Sequence, residues 1–293
     1  MDATVLIAGA GGQLGRELQR SVPEGVQAVA MARSALDIGD ADQVAAVLAE
    51  HRPSVVINAA AYTAVDQAES ARDEAMRINA EGPGHLASAC AREGARLLHV
   101  STDFVFDGSA GSPYEPGDST APLGVYGASK LAGEEAALAA LPKTFILRTA
   151  WVYSAFGGNF VKTMLRLMGE RDELGVVADQ VGSPTWAAGL ARALWAAAAR
   201  PALEGIYHWS DAGACSWYDF AVAIQEEGEA LGLVPGGVTV RPLTTQDYPT
   251  PAARPAYSVL AKEQSWRDLE LEGVHWRSQL RQMLRDLKEN ADG

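Results

Sequence analysis

The sequence predicts an α/β protein: a doubly wound parallel sheet with a smaller C-terminal lobe. Three observations predict it. Short β-branched runs alternate with helical patterns about five times within residues 1–153, and that alternation calls for a parallel sheet covered by helices on both faces. The first run ends in a glycine-rich turn, GAGGQLG at 9–15. Beyond 153 the rhythm loosens and long Pro-rich loops appear.

The run at 4–9, TVLIAG, reads as a buried strand because it is apolar, β-branched and stopped by glycine. Helical spacing follows over 12–22. Residues 26–31 form a second strand, 41–52 an amphipathic helix, and 53–60 a third strand entered at Pro53. The segment 66–94 reads as one or two helices, broken near EGPG at 81–84. A fourth strand is expected at 95–102, a helix at 126–140 and a further strand at 144–153. The later segments read as helices at 158–170, 186–199, 216–231 and 276–289, with strands at 174–177, 205–210 and 238–243. Residues 1–153 are therefore expected to form the nucleotide-binding domain, with some later segments returning to it, and 154–293 mainly a substrate-binding lobe. The loops at 179–185 and 247–258 are long for connectors, which suits the lining of a site.

Composition narrows the function. The 293 residues are 48% hydrophobic and 21% charged, an ordinary globular balance. The net charge of −13 opposes a nucleic-acid role, since phosphate backbones demand clustered Lys and Arg. No apolar run approaches the roughly 20 residues of a membrane helix, and the start MDATVLIAGAGG lacks the positive region of a signal peptide. Cys90 and Cys215 are too few and too far apart for a disulfide framework or a zinc site. A cytoplasmic protein is expected.

In the turn, Gly9 permits the tight bend, Gly12 lets backbone approach a pyrophosphate, and Gly15 allows close helix–strand packing. The helix that follows offers free N–H groups and a partial positive charge to phosphates. This is a Rossmann-type dinucleotide site, given its place after the first strand of a βαβ unit. At the end of the second strand an acid would accept bonds from the adenosine 2′-hydroxyl and repel a 2′-phosphate. Arg33 stands there instead, and no acid appears until Asp37. NADPH is thus the expected cofactor, with NADH as the alternative; Asp37 can serve the adenine amino group.

Tyr126 and Lys130 lie at i and i+4 of a helix and so share a face. Reducing a ketone takes a hydride at carbon and a proton at oxygen. Free tyrosine titrates near 10, and a neighbouring ammonium favours the phenolate. The fourth strand ends in Ser101 and Thr102, either of which could hold the carbonyl oxygen as it gains charge. A Tyr-x-x-x-Lys pair alone is weak; the trio behind the glycine turn is what points to carbonyl chemistry.

Those residues, with RPSVVINAAAYTAVDQAE, STDFVFDG, VYGASKLAGEE, LRTAWVY, NFVKTMLRL, DQVGSPT and YPTPAARPAYS, resemble the extended short-chain dehydrogenase/reductase family, and within it the reductases of dTDP-linked keto sugars. The resemblance covers nearly the whole chain. It implies reduction of the C4 keto group of dTDP-4-dehydro-L-rhamnose, the last step of dTDP-L-rhamnose synthesis, with Tyr126 as proton donor, Lys130 as its partner and Thr102 on the carbonyl. By the same resemblance Gly12, Gln13 and Leu14 meet the pyrophosphate, Asp37 and Ile38 the adenine side, and Ala61, Tyr62 and Thr63 line the cofactor. Asp103 and Trp151 contact the sugar, the indole face covering sugar C–H groups; Arg254 is a candidate charge partner, argued from its loop and its charge. Phe104 and Tyr257 depart from the family's usual Tyr and Asn. Some members bind magnesium at a dimer contact; Glu17 fits part of that pattern, but 183–195 holds no acid, so no required metal is expected. A homodimer is compatible with the chain. Alternatives are another nucleotide-sugar reductase or epimerase of this superfamily, or a non-catalytic regulatory subunit of this fold.

Overall fold

The computed structural model describes residues 3–291. In chain order the first half runs β1 (Ala3–Ala8), α1 (Gln13–Arg20), β2 (Val26–Met31), α2 (Ala41–His51), β3 (Val55–Asn58), α3 (Val65–Ala68) and α4 (Arg72–Met76). A π-helical turn (Arg77–Glu81) leads into α5 (Gly82–Glu93), then β4 (Arg96–Thr102), α6 (Val125–Ala140), β5 (Phe145–Thr149) and β6 (Val152–Tyr153). The second half runs α7 (Phe160–Glu170), β7 (Glu173–Val177), β8 (Val181–Gly182), β9 (Thr185–Trp186), α8 (Ala187–Ala198) and β10 (Gly205–Trp209). It closes with β11 (Cys215–Ser216), α9 (Trp217–Leu231), β12 (Thr239–Leu243), α10 (Glu263–Leu269) and α11 (Trp276–Ala291).

Six strands form one sheet in the order β10-β5-β4-β3-β1-β2, every neighbour parallel. Their nearly continuous apolar sequences follow from burial on both faces. Val5, Ile7, Ile57, Leu98 and Phe145 pack with Leu14 and Leu18 of α1 and Leu190 and Leu194 of α8. Leu6, Val56 and Leu97, offset by one residue, face Leu48 of α2 and Leu86 of α5. The order reverses between β1 and β3, and ligands of such sheets sit beyond the strand ends at that reversal. A second core, around Tyr153, Met164, Phe220, Trp276 and Leu284, belongs to the C-terminal segments. Among the described residues no helix is long and apolar enough to cross a membrane.

Two expected elements differ. The break at 81–84 does not occur: the π turn carries the helix through to Glu93. Proline clashes with the carbonyl four residues back and lacks the N–H to bond it inside a helix; Pro83 falls in the first turn of α5, just after the π turn, where proline is tolerated. The single strand at 144–153 is two, β5 in the main sheet and β6 paired with β9, separated at Trp151 by a left-handed backbone (φ +46°).

Helix α6 carries the fold's best-buried ion pair. Arg148 on β5 and Glu134 are 3% and 2% exposed, with Nη2 and Oε2 2.7 Å apart. The guanidinium also donates to the Pro116 carbonyl at 3.3 Å and lies over the Phe106 ring. Glu134→Ala would leave that guanidinium buried and unpaired, which costs about 3–5 kcal/mol. Urea unfolding should show a loss of this size, and Glu134→Ala with Arg148→Met should recover part of it.

Candidate active site

The glycine turn is built as a cradle. Gly9 has φ +83°, and a Cβ there would lie 2.5 Å from the Ala60 nitrogen; one at Gly15 would lie 2.3 Å from the Gly9 oxygen. Both are glycine because strand, turn and helix touch backbone to backbone. Gly11 and Gly12 differ, since a Cβ at either would meet no protein atom closer than 3.4 Å. They line a cavity of about 360 Å³ at the ends of β1 and β3, and a side chain would take its space. Gly12 is also the N-cap of α1 with no side-chain cap, so the first amides of the helix are left for a ligand. These residues fit a dinucleotide pyrophosphate.

Arg33, Asp37, Ile38, Ala61, Tyr62 and Thr63 line the same cavity. Arg33 is already engaged: its Nη2 lies 2.7 Å from Glu74 Oε1. Asp37 accepts from Arg77 Nη1 at 3.1 Å, and Arg77 Nε is 2.9 Å from Glu74 Oε2. Neither partner was evident from sequence, because α4 and the π turn reach β2's end only through the fold. Asn79 fixes the cavity wall. Its side chain accepts from the Tyr62 N–H at 2.8 Å and donates to the Tyr62 carbonyl at 2.9 Å.

A second cavity of about 540 Å³ adjoins the first, sharing Gly12 and the residues after β3, and it collects the remaining predicted groups. Gln13 and Leu14 enter it from α1, Thr102 from the C-terminal end of β4, and Tyr126 and Lys130 from one face of α6. Gly15 lies outside both linings and serves packing alone. Tyr126 is held by an edge-on contact with Phe104, ring centroids 5.5 Å apart. Thr102 Oγ1 accepts from the Phe104 N–H at 3.2 Å and donates to Asp103 Oδ1 at 3.1 Å. Ser101, the other candidate hydroxyl, also lines the cavity.

Burial pushes the Tyr126 phenol up to about 12, against the Thr102 hydroxyl, which draws it down; the Asp103 charge pushes it up as well. Burial therefore favours the protonated phenol. The Lys130 ammonium donates to the Val100 carbonyl at 2.7 Å. Burial lowers its pKa to about 8, and the Glu134 charge acts in the opposite direction. Asp103 is raised to about 6 by burial, despite hydrogen bonds from Ser258 and Thr102.

On the far wall, Trp151 does not offer a free indole. Trp217 stacks on it, centroids 3.4 Å apart and planes 7° from parallel. Gly182 also meets the ring closely; a Cβ there would be 2.6 Å from Trp151 Cε2. One face of the Trp151 indole is therefore occupied by a second tryptophan. Trp217 was missed, although its place at the start of α9, just after the capping box of Ser216 and Asp219, is readable in CSWYD. Arg254 lines the cavity but is bound to Asp66, Nη2 to Oδ2 at 2.8 Å and Nη1 to Oδ1 at 3.0 Å. A third cavity of about 440 Å³ shares Phe160, Trp217 and Arg254 with the second. Glu17 is buried, accepting from Ser154 Oγ at 2.7 Å and paired with Arg20 at 2.8 Å. Among the described residues no group of three His, Cys, Asp or Glu could hold a metal.

Fold and site together define a class: a doubly wound dinucleotide-binding protein with a Thr–Tyr–Lys centre at the strand ends. The chain belongs to the family described as RmlD substrate binding domain, whose family model matches residues 3–289. It is 48% identical over 282 residues to a dTDP-4-dehydrorhamnose reductase of Streptomyces griseus, covering 94% of this chain and 91% of that one. A solved dTDP-4-dehydrorhamnose reductase of Bacillus anthracis, in complex with NADP, superposes with a TM-score of 0.91 at 40% identity, covering 98% of this chain and all of that one. One from Clostridium acetobutylicum also gives 0.91, at 41% identity over 97% of this chain and 99% of that one.

Lys130 shares its depressed pKa with Lys262, which burial also lowers to about 8 and whose ammonium donates to Ser210 and Ser183 at 2.9 and 3.1 Å. Each loses its charge as pH rises through about 8. In NMR of lysine ¹³Cε, two of the five lysines should titrate there, and Lys130→Met should remove one of the two signals.

Proposed function

We propose that this chain reduces the C4 keto group of dTDP-4-dehydro-L-rhamnose to give dTDP-L-rhamnose, with NADPH preferred and NADH accepted. The observation that carries the reading is the convergence of Thr102, Tyr126 and Lys130 on one cavity that continues into the glycine cradle. Family membership and the activity of its relatives supply the substrate. Residues 1–153 bind the dinucleotide, and 154–293 supply most of the sugar-nucleotide wall, with α8 and β10 returning to the sheet. The third cavity, joined to the second along Phe160, Trp217 and Arg254, takes the nucleotide end of the substrate. Two buried free thiols, Cys90 and Cys215, suit a reducing cytoplasm.

When bound, NADPH supplies the hydride that reduces the carbonyl carbon. The chain's task is the oxygen. On substrate binding the Thr102 hydroxyl turns from Asp103 Oδ1 onto the carbonyl oxygen, and Tyr126 gives that oxygen the phenolic proton as charge develops, so ketone, hydride and proton together give the alcohol. A phenol held at about 12 is protonated at neutral pH, so the proton is in place when charge develops on the oxygen. Lys130, fixed on the Val100 carbonyl, supplies the positive charge that stabilises the resulting phenolate. Asp103 Oδ1 accepts the Thr102 proton until the carbonyl arrives. Trp151 and Trp217 form the apolar wall beside the sugar.

The decisive assay is NADPH consumption with dTDP-4-dehydro-L-rhamnose. Tyr126→Phe should lower kcat about 10²–10⁴-fold, with little change in NADPH affinity. Absence of turnover by the wild type would overturn the substrate, and an unimpaired Tyr126→Phe would overturn the proton donor. The Lys130 charge is complete well below its pKa of about 8 and lost above it. kcat/KM should therefore fall as pH rises through about 8, and Lys130→Arg, charged throughout, should lack that limb.

A further inference from the structure

The adenosine end of the first cavity carries four charges in a chain: Arg33, Glu74, Arg77 and Asp37. Only the outer two, Arg33 and Asp37, line the cavity. Glu74 and Arg77 stand behind it, three residues apart on one helical run, each holding the outer charge of opposite sign. The arrangement is built rather than incidental. Glu74 takes Arg77 through both its oxygens, at 2.9 and 3.1 Å, and Arg33 on one of them at 2.7 Å. Gly39 leaves the room that Arg77 occupies, since a Cβ there would lie 2.1 Å from Arg77 Nη1.

We propose that Glu74 and Arg77 are positioning residues for cofactor specificity, setting through Arg33 and Asp37 the preference between a phosphorylated and a free adenosine ribose. The inference rests on the reading that this cavity binds a nicotinamide dinucleotide. A 2′-phosphate carries close to two negative charges at neutral pH, and it competes with Glu74 for the Arg33 guanidinium. Arg33 is 68% exposed and Glu74 37%; ion pairs so open to water are weak, so the exchange is cheap and reversible. Arg77 acts on the other side. By neutralising Asp37 it removes the carboxylate repulsion that would exclude a phosphate, while leaving an oxygen to accept from a 2′-hydroxyl. Two opposed tethers on one helix therefore give a cleft that admits both cofactors, with the balance fixed outside the binding surface.

The test measures binding of 2′,5′-ADP and of 5′-AMP to the full chain by calorimetry at one low ionic strength, beside kcat/KM for NADPH and NADH. Glu74→Gln frees Arg33 and should raise the affinity ratio of 2′,5′-ADP over 5′-AMP about three- to fivefold. Arg77→Gln uncovers Asp37 and should lower the same ratio by a similar factor. Opposite shifts from two residues off the cavity wall are not what general destabilisation gives. Ratios unchanged within about twofold, or shifted in the same direction by both variants, would overturn the proposal. Arg33→Gln separates the two readings. If it abolishes the preference while Glu74→Gln has no effect, Arg33 stands as the phosphate ligand and the tether falls. If the wild type binds neither fragment, the dinucleotide reading and this inference fall together.

Discussion

The site depends on how closely α6 approaches the end of β4. That approach is fixed by a buried ammonium on a backbone carbonyl, Lys130 on Val100 at 2.7 Å. An isolated buried cation is expensive, so the helix brings further compensation. Glu134, one turn on, lends its charge to Lys130 and pairs with Arg148 of the neighbouring strand. Two glycines on α6 make the distance attainable. A Cβ at Gly127 would stand 2.2 Å from the Phe104 oxygen, and one at Gly133 would stand 2.0 Å from the Asn79 oxygen. Moving α6 outward by the width of a methyl group would separate Tyr126 from Thr102 and strand the lysine at once.

The same burial sets the charges. Tyr126 is driven up, Lys130 down and Asp103 up, each because the pocket disfavours its ionised form. A neutral phenol beside a cation that is only partly committed to its proton is an arrangement for delivering protons. The Lys130 pKa near 8 is thus a consequence of the packing that positions it, not a separate adjustment.

Much of this was legible in the sequence because it rests on local rules. Strand runs, the glycine turn and the i, i+4 spacing of Tyr126 and Lys130 are periodicities, and periodicity survives without a structure. The failures share a cause: each depends on a neighbour remote in sequence. The helix passes Pro83 because a π turn is braced by Asn79 against Tyr62 and Ser129. Arg33 reads as a free guanidinium until Glu74 is brought across 41 residues to meet it. Trp151 reads as an open face until Trp217 stacks on it. Arg254 reads as a free charge until Asp66, 188 residues earlier, claims it.

Trp151 shows how the two halves of the chain are joined through the site. It stands between β5 of the main sheet and β6, which pairs with β9, and it holds a left-handed backbone that a bulky side chain adopts only when its surroundings impose it. Those surroundings are Trp217 on one face and Gly182 against the ring, both from beyond residue 153. The Thr185 N–H also donates to the Trp151 carbonyl, at 3.2 Å. The tryptophan wall of the second cavity and the turn that redirects the chain are therefore one structure. A change that loosened the tryptophan stack would act on the turn between β5 and β6 as well as on the cavity, so a substitution at Trp217 is not a local trimming of the wall.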